Sequence, residues 1–135
     1  MPRQAHIEVA AAVIVGPDNQ ILLSLRSPDA HQGGKWEFPG GKFETNETPH
    51  QALIRELKEE LDINVLEASE YLHLSHDYAE KSVTLHVFKV TDFSGEPHGM
   101  EGQEVRWFSV AELEALEFPD ANYPILEKIK QDIAG

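Results

Sequence analysis

The sequence predicts an α/β domain in which a mixed β-sheet is flanked by helices on both faces. Three observations predict it. Runs rich in β-branched and aromatic residues interleave with amphipathic helical runs along the chain. One of those helices, beginning at Thr48, carries a full set of start signals. The 135 residues fit one compact domain, and with 41% hydrophobic residues they can build a real core, so residues 1–135 are expected to form one unit.

The elements follow in order. His6 to Val15 is apolar and β-rich and reads as a buried strand. Pro17-Asp18-Asn19 is a turn, and Ile21 to Leu25 is the next strand, so the two are expected to pair as a hairpin. Arg26 to Lys35 is a polar loop. Trp36-Glu37-Phe38 is a short strand running into Pro39-Gly40-Gly41. In the helix that follows, Thr48 is the N-cap, Pro49 suits the first turn and Gln51 completes a capping box. Leu53, Leu57 and Leu61, with Ala52 and Ile54 beside them, form a stripe expected to face a core while the glutamates face away. Val65 to Leu74 and Ser82 to Val90 read as strands, Gly95 to Gly102 as a loop and Val105 to Phe108 as a short strand. Ser109 and Glu112 form a second capping box opening a helix to about Leu116. The last helix begins at Asn122 or Tyr123, ends near Ile133, and presents Ile125, Leu126, Ile129 and Ile133 on one face.

The densest chemical signal lies in residues 41–63. Glu56, Glu59 and Glu60 stand at i, i+3 and i+4, which places three carboxylates on one helix face. Such crowding destabilises a bare helix. It makes sense around a hard divalent cation, which takes oxygen ligands and bridges carboxylates to phosphate. Arg55 precedes Glu59 by one turn and can pair with it. Gly40-Gly41 lets backbone approach a ligand or ion closely. An isolated E-x-x-E-E would more simply be a solvated helix face, but here Gly41, Glu47 and Arg55 keep fixed spacing with it.

The pattern G-x5-E-x7-R-E-L-x-E-E-x-x-I resembles the Nudix box of the Nudix hydrolases. The resemblance implies a Nudix-type α/β/α sandwich, a loop-helix-loop at 41–63, and cleavage of a nucleoside diphosphate linked to another group. It implies Mg2+, with Mn2+ as the alternative, held by the box glutamates. Asp62 stands where the box normally has glycine. That position ends the helix in a left-handed conformation that Asp visits at modest cost, so a small stability penalty is expected.

Beyond the box, residues from about 6 to 131 are similar to the MutT-like branch, which hydrolyses oxidised guanine nucleotides. The similarity is carried by W-E-F-P-G-G-K at Trp36 to Lys42, P-D-A-H at Pro28 to His31, G-E-P-H-G-M-E-G at Gly95 to Gly102 and F-P-D-A-N-Y-P at Phe118 to Pro124. It implies metal ligands from Gly40, Glu56, Glu59, Glu60 and Glu101, with Glu56 or Glu101 as the base and Arg55 orienting a carboxylate. For the nucleotide it implies Arg26, His31, Lys42 and Tyr78, with the backbone of Glu37, Phe38, Pro39 and Gly40 lining the base and metal site, and Asn122 reading the base. Each has an ordinary alternative. Asn122 is also a good helix N-cap. Arg26 and Lys42 serve equally as surface cations, His31 and Glu101 as loop residues, and Phe38 as core. Around Tyr78, the segment Asp77 to Lys81 departs from the family pattern.

Charge and composition exclude other classes. The formal net charge is −13, with 11 Lys and Arg scattered along the chain, which opposes polymeric nucleic acid. A small metal-bound nucleotide avoids that conflict, because the cation neutralises carboxylates and phosphates together. There is no cysteine, which excludes thiol catalysis and disulfides. No run is long and apolar enough for a membrane span, and the N-terminus lacks a signal-peptide core. A cytoplasmic monomer acting on a nucleoside triphosphate is the expectation. Conversion of 8-oxo-dGTP to 8-oxo-dGMP and pyrophosphate is the expected activity. A CTP or modified dCTP pyrophosphohydrolase and a nucleotide sensor that binds without cleaving are the alternatives.

Overall fold

The computed structural model describes residues 5–133. In chain order the strands are β1 (Ala5–Ile14), β2 (Ile21–Leu25), β3 (Trp36–Glu37), β4 (Gly40–Lys42), β5 (Asn64–Asp77), β6 (Lys81–Ser94) and β7 (Val105–Phe108). The helices are α1 (Pro49–Leu61), α2 (Val110–Leu113) and α3 (Tyr123–Asp132), with single 3-10 turns at Pro17–Asn19 and Asp120–Asn122.

The strands form two sheets rather than the single sheet expected. The larger has the order β4-β1-β6-β5 and is mixed, because β1 and β6 run parallel. The smaller has the order β3-β2-β7 and is antiparallel. The expected β1–β2 hairpin is therefore corrected. Its turn is present, closed by Gly16 N–H donating to the Gln20 carbonyl at 2.8 Å, but pairing stops at one bridge between Val15 and Ile21. β4 covers β1 only over Val9–Ala11 and β6 runs along the other edge, while β2 takes its partners from β3 and β7 in the second sheet.

β1 separates two cores by simple alternation. Ala11 and Val13 face a core shared with Ile21, Leu23, Phe38, α2 and α3. Ala10, Ala12 and Ile14 face a second core against the leucines of α1. Helices thus cover opposite faces of β1, as the interleaved pattern predicts. Among the described residues, no helix is long and apolar enough to cross a membrane.

The helix signals are realised in detail. Thr48 and Gln51 exchange both capping-box hydrogen bonds. Asp62 is the left-handed C-cap, at φ 58° and ψ 39°. Lys58 binds its carboxylate at 2.9 Å, a compensation that glycine could not make. The Ser109–Glu112 capping box also forms, although α2 stops at Leu113. β4 was not anticipated as a strand. Two glycines give no pattern to read, yet they pair with Ala10 and Ala11.

Two residues of α1 correct the expected stripe. Ile54 is 39% exposed, whereas Glu60, expected on the outer face, is buried at 8% exposure. At about 100° per residue, position 60 falls within about 20° of position 53, inside the leucine stripe. One carboxylate of the motif is thereby driven into the domain.

Candidate active site

The site begins where α1 packs under β4. Gly41 permits this contact: a Cβ there would lie 2.1 Å from the Glu56 carboxylate. Gly40 is equally constrained from the other side, since its Cβ would lie 1.9 Å from the Ala10 carbonyl oxygen. The two glycines bring backbone and carboxylate together in a way no larger residue allows.

Arg55 organises the outer part of the cluster. Its guanidinium donates to Glu47 at 2.6 and 2.9 Å, to Glu56 at 2.8 Å, to Glu59 at 2.9 Å and to the Lys42 carbonyl at 2.9 Å. Its planar fork of donors suits this multiple contact, which a lysine could not reproduce. The surrounding carboxylates hold its pKa above the usual arginine range. The expected Arg55–Glu59 pair is present, as one arm of a larger network.

Glu60 occupies the inner part. Burial pushes its carboxyl up to about 8, and the negative charges of Glu37, Glu101 and Glu56 push in the same direction. A hydrogen bond from the Gly40 backbone opposes them. Ser24 donates its hydroxyl to Glu60 Oε1 at 3.4 Å, a long contact. Glu56 is also raised, first by burial, with Arg55 countering it and Glu59 and Glu101 adding to it. Glu101 thus acts electrostatically on both carboxylates from an exposed loop. That loop is tied to the end of α1 by Met100 N–H and the Gln103 side-chain amide, both donating to the Glu60 carbonyl, at 3.0 and 3.3 Å.

These donors fit a hard divalent cation. They are all oxygen, and they repel one another in a partly dry setting, so a cation among them would relieve the repulsion. Among the described residues no three such side chains already converge on one point as bound ligands do. Arg55 instead engages two of them, Glu56 and Glu59.

Beside the carboxylates lies a cleft of ≈ 240 Å³, which Arg26, His31, Phe38, Lys42, Tyr78 and Asn122 help to line. Its floor is apolar and comes from Ile7, Val9, Val83 and Leu85 on β1 and β6. Phe38 is both core and cleft wall, stacked on Phe118 with ring centroids 5.5 Å apart. Asn122 is buried and stands at the N-cap position of α3, but its side chain makes no cap bond; its Oδ1 accepts a hydrogen bond from Phe38 N–H at 3.3 Å. Tyr78 accepts one from Ala121 N–H at 2.9 Å, and the His31 ring meets its edge at 4.7 Å. His31 is also paired with Glu80. Pro39 lies against the sheet, its carbonyl accepting from Ala12 N–H at 2.8 Å.

The fold therefore gathers the candidate residues into two adjoining groups, the carboxylate cluster and the cleft, except that Pro39 does not line the cleft. Two participants are new. Ser24 sits among apolar strand residues, and no spacing in the sequence ties it to position 60. The Glu37 side chain is the other, since only its backbone was expected to line the site. Arg26 Nη1 binds Glu37 Oε1 at 2.6 Å, and Glu37 in turn raises Glu60, so a cleft cation and the buried carboxylate are linked through it. Burial is the main cause raising Glu37 itself, against the lowering effect of Arg26.

Comparison with known proteins extends this picture. The NUDIX domain family matches residues 10–128. The 8-oxo-dGTP diphosphatase of Escherichia coli K12 is 40% identical over 125 residues, covering 93% of this chain and 97% of that protein. The CTP pyrophosphohydrolase of the same organism is 40% identical over 123 residues, covering 90% of this chain and 89% of that one. A solved MutT structure, from work on the Aliivibrio salmonicida and Vibrio cholerae proteins, superimposes with a TM-score of 0.81 at 38% identity, covering 93% of this chain and 98% of that chain.

Proposed function

Because the chain belongs to the Nudix family, we propose that it is a divalent-metal-dependent nucleoside triphosphate pyrophosphohydrolase whose substrate is 8-oxo-dGTP. The observation that carries this reading is the junction of the carboxylate cluster with the Asn122 cleft. One group suits metal and phosphate, the other a base, and Glu37 joins them.

In the reaction, a water oxygen bonds to the β-phosphorus and the bond from that phosphorus to the α,β-bridging oxygen breaks. 8-oxo-dGMP leaves with the bridging oxygen, and the other product is pyrophosphate. Glu56, Glu59, Glu60, Glu101 and the Gly40 carbonyl would hold Mg2+. The bound cation would supply charge neutralisation and an acidified water. Glu56 is the better-placed proton acceptor. Its carboxylate is oriented by Arg55 and packed on Gly41, whereas Glu101 is exposed. Arg55 positions carboxylates and has no role toward substrate. Arg26 and Lys42 offer positive charge to the nucleotide, while Phe38 and Tyr78 offer ring surface. Asn122 carries both a donor and an acceptor, which suits the O6 and N7–H edge of an 8-oxoguanine base. Guanine, with an acceptor at N7, would leave the amide oxygen unmatched. Removal of this nucleotide would keep a miscoding precursor out of DNA synthesis.

The test is pyrophosphate release from 8-oxo-dGTP, dGTP, CTP and dCTP at equal low concentrations, with Mg2+ and with EDTA. The expected result is Mg2+-dependent release with strong preference for 8-oxo-dGTP. Preference for CTP or dCTP would overturn the substrate and keep the chemistry. Binding without release from any nucleotide would indicate a sensor.

A further inference from the structure

A group of titratable side chains lies outside the cleft and the carboxylate cluster. It lies on the face of the four-stranded sheet that packs on α1, beside a cavity of ≈ 330 Å³ lined in part by Pro49, Glu70, His73, His86 and Phe88. Residues of β6 alternate between faces. Val83 and Leu85 floor the nucleotide cleft, while His86 and Phe88 line this cavity.

We propose that His73 and His86 are a chelating pair for a borderline divalent cation such as Zn2+, separate from the carboxylate cluster. The two residues are direct cross-strand partners on β5 and β6. Such partners have Cβ atoms about 4.5–5.5 Å apart, close enough for two side chains to share one ligand. Their rings are in tilted contact, with centroids 4.6 Å apart and planes 31° from parallel.

Glu8 on β1 prepares one of the rings. Its Oε1 lies 3.0 Å from His86 Nε2. An ionised carboxylate only accepts, so the ring hydrogen sits on Nε2 and Nδ1 keeps its lone pair for a metal. A carboxylate behind a ligating imidazole fixes its tautomer and orientation. Phe43 adds a wall, its ring centroid 5.0 Å from that of His86. His73 is exposed, so its ring can turn toward a shared ion without displacing a packed neighbour.

The donors choose the ion. Imidazole nitrogen suits Zn2+, Ni2+ and Cu2+, whereas Mg2+ takes oxygen and would remain with the glutamates. Glu8 and Glu70 add negative charge at the rim. Two protein ligands leave the remaining positions to water.

The experiment is calorimetric titration of the full chain with Zn2+ in saturating Mg2+, followed by NMR of the imidazole nitrogens. One Zn2+ should bind, with the largest resonance changes at His73 and His86. His73→Ala and His86→Ala should each weaken binding about tenfold or more. Mg2+-dependent turnover measured without Zn2+ should stay the same in His73→Ala, whose exposed site makes misfolding a poor explanation of any loss. Unchanged Zn2+ affinity in either variant would overturn the proposal. So would complete displacement of Zn2+ by Mg2+, or resonance changes confined to other histidines.

Discussion

The side-chain oxygen of Asn122 accepts the Phe38 backbone N–H at 3.3 Å, across 84 positions of sequence. This bond fixes the orientation of the amide: it takes one lone pair of the oxygen and leaves the second lone pair to accept and the NH2 group to donate. A bound base with a donor at N7 and an acceptor at O6 would draw on both ends of the amide. Asn122→Ala should therefore reduce kcat/KM for 8-oxo-dGTP by about tenfold or more, the cost of one to two lost polar contacts. The loss for dGTP should be smaller. Equal losses on both nucleotides, in side-by-side kinetics, would count against base reading by this residue.

Neighbouring glycines should fail in different ways. At Gly41 an added Cβ meets the end of a flexible side chain, the Glu56 carboxylate at 2.1 Å. Gly41→Ala should keep the fold and displace Glu56, with turnover falling about 100-fold if Glu56 acts in the chemistry. At Gly40 the obstacle is backbone, the Ala10 carbonyl oxygen at 1.9 Å. Gly40→Ala should lower the thermal unfolding temperature markedly. Paired measurements of melting and turnover would separate the two.

Glu60 predicts a pH dependence. Its folded carboxyl is raised from 4.5 to about 8, chiefly by burial. The folded protein therefore holds a proton that the unfolded chain releases. The associated stability is complete below about pH 4.5 and is lost as pH rises toward 8. Metal-free protein should weaken across that window, and Glu60→Gln should weaken less. Cation binding near pH 7 should release close to one proton, visible by calorimetry in buffers of different ionisation enthalpy. Glu60→Gln should abolish that release and cut turnover about 100-fold. Proton release unaltered in the variant would remove Glu60 from the metal site.

Arg55 is the counter-charge for the outer carboxylates. Arg55→Ala should destabilise metal-free protein by about 1–2 kcal/mol, through lost charged hydrogen bonds and unrelieved repulsion. Mg2+ should restore part of that loss by taking over the neutralisation. A denaturation series with and without Mg2+ measures both. A deficit that Mg2+ leaves untouched would mean that Arg55 and the cation do not share carboxylates.

Local signals in the sequence determined a good deal. Thr48 and Gln51, Ser109 and Glu112, and the left-handed Asp62 each form what their side chains dictate within four residues. The strands Ile21–Leu25 and Val105–Phe108 end where their β-rich runs end. Helix spacing specified the Arg55–Glu59 pair, while Glu47 and Glu56 joined it only in the folded loop and helix.

Tertiary structure decided the rest, wherever the energy of a residue depends on partners far along the chain. Glu60 looks like its two neighbours in sequence, yet its angle on α1 buries it against Gly40, Ser24 and the charge of Glu37. Asn122 has the chemistry of a helix cap, and only the approach of Phe38 gives its oxygen another partner. The first two strands separate into different sheets because β2 finds its partners in β3 and in β7, more than 80 positions away. Sequence fixes what each side chain can do; burial and distant contacts choose among those possibilities, since desolvation and cross-chain pairing exist only once the chain has folded.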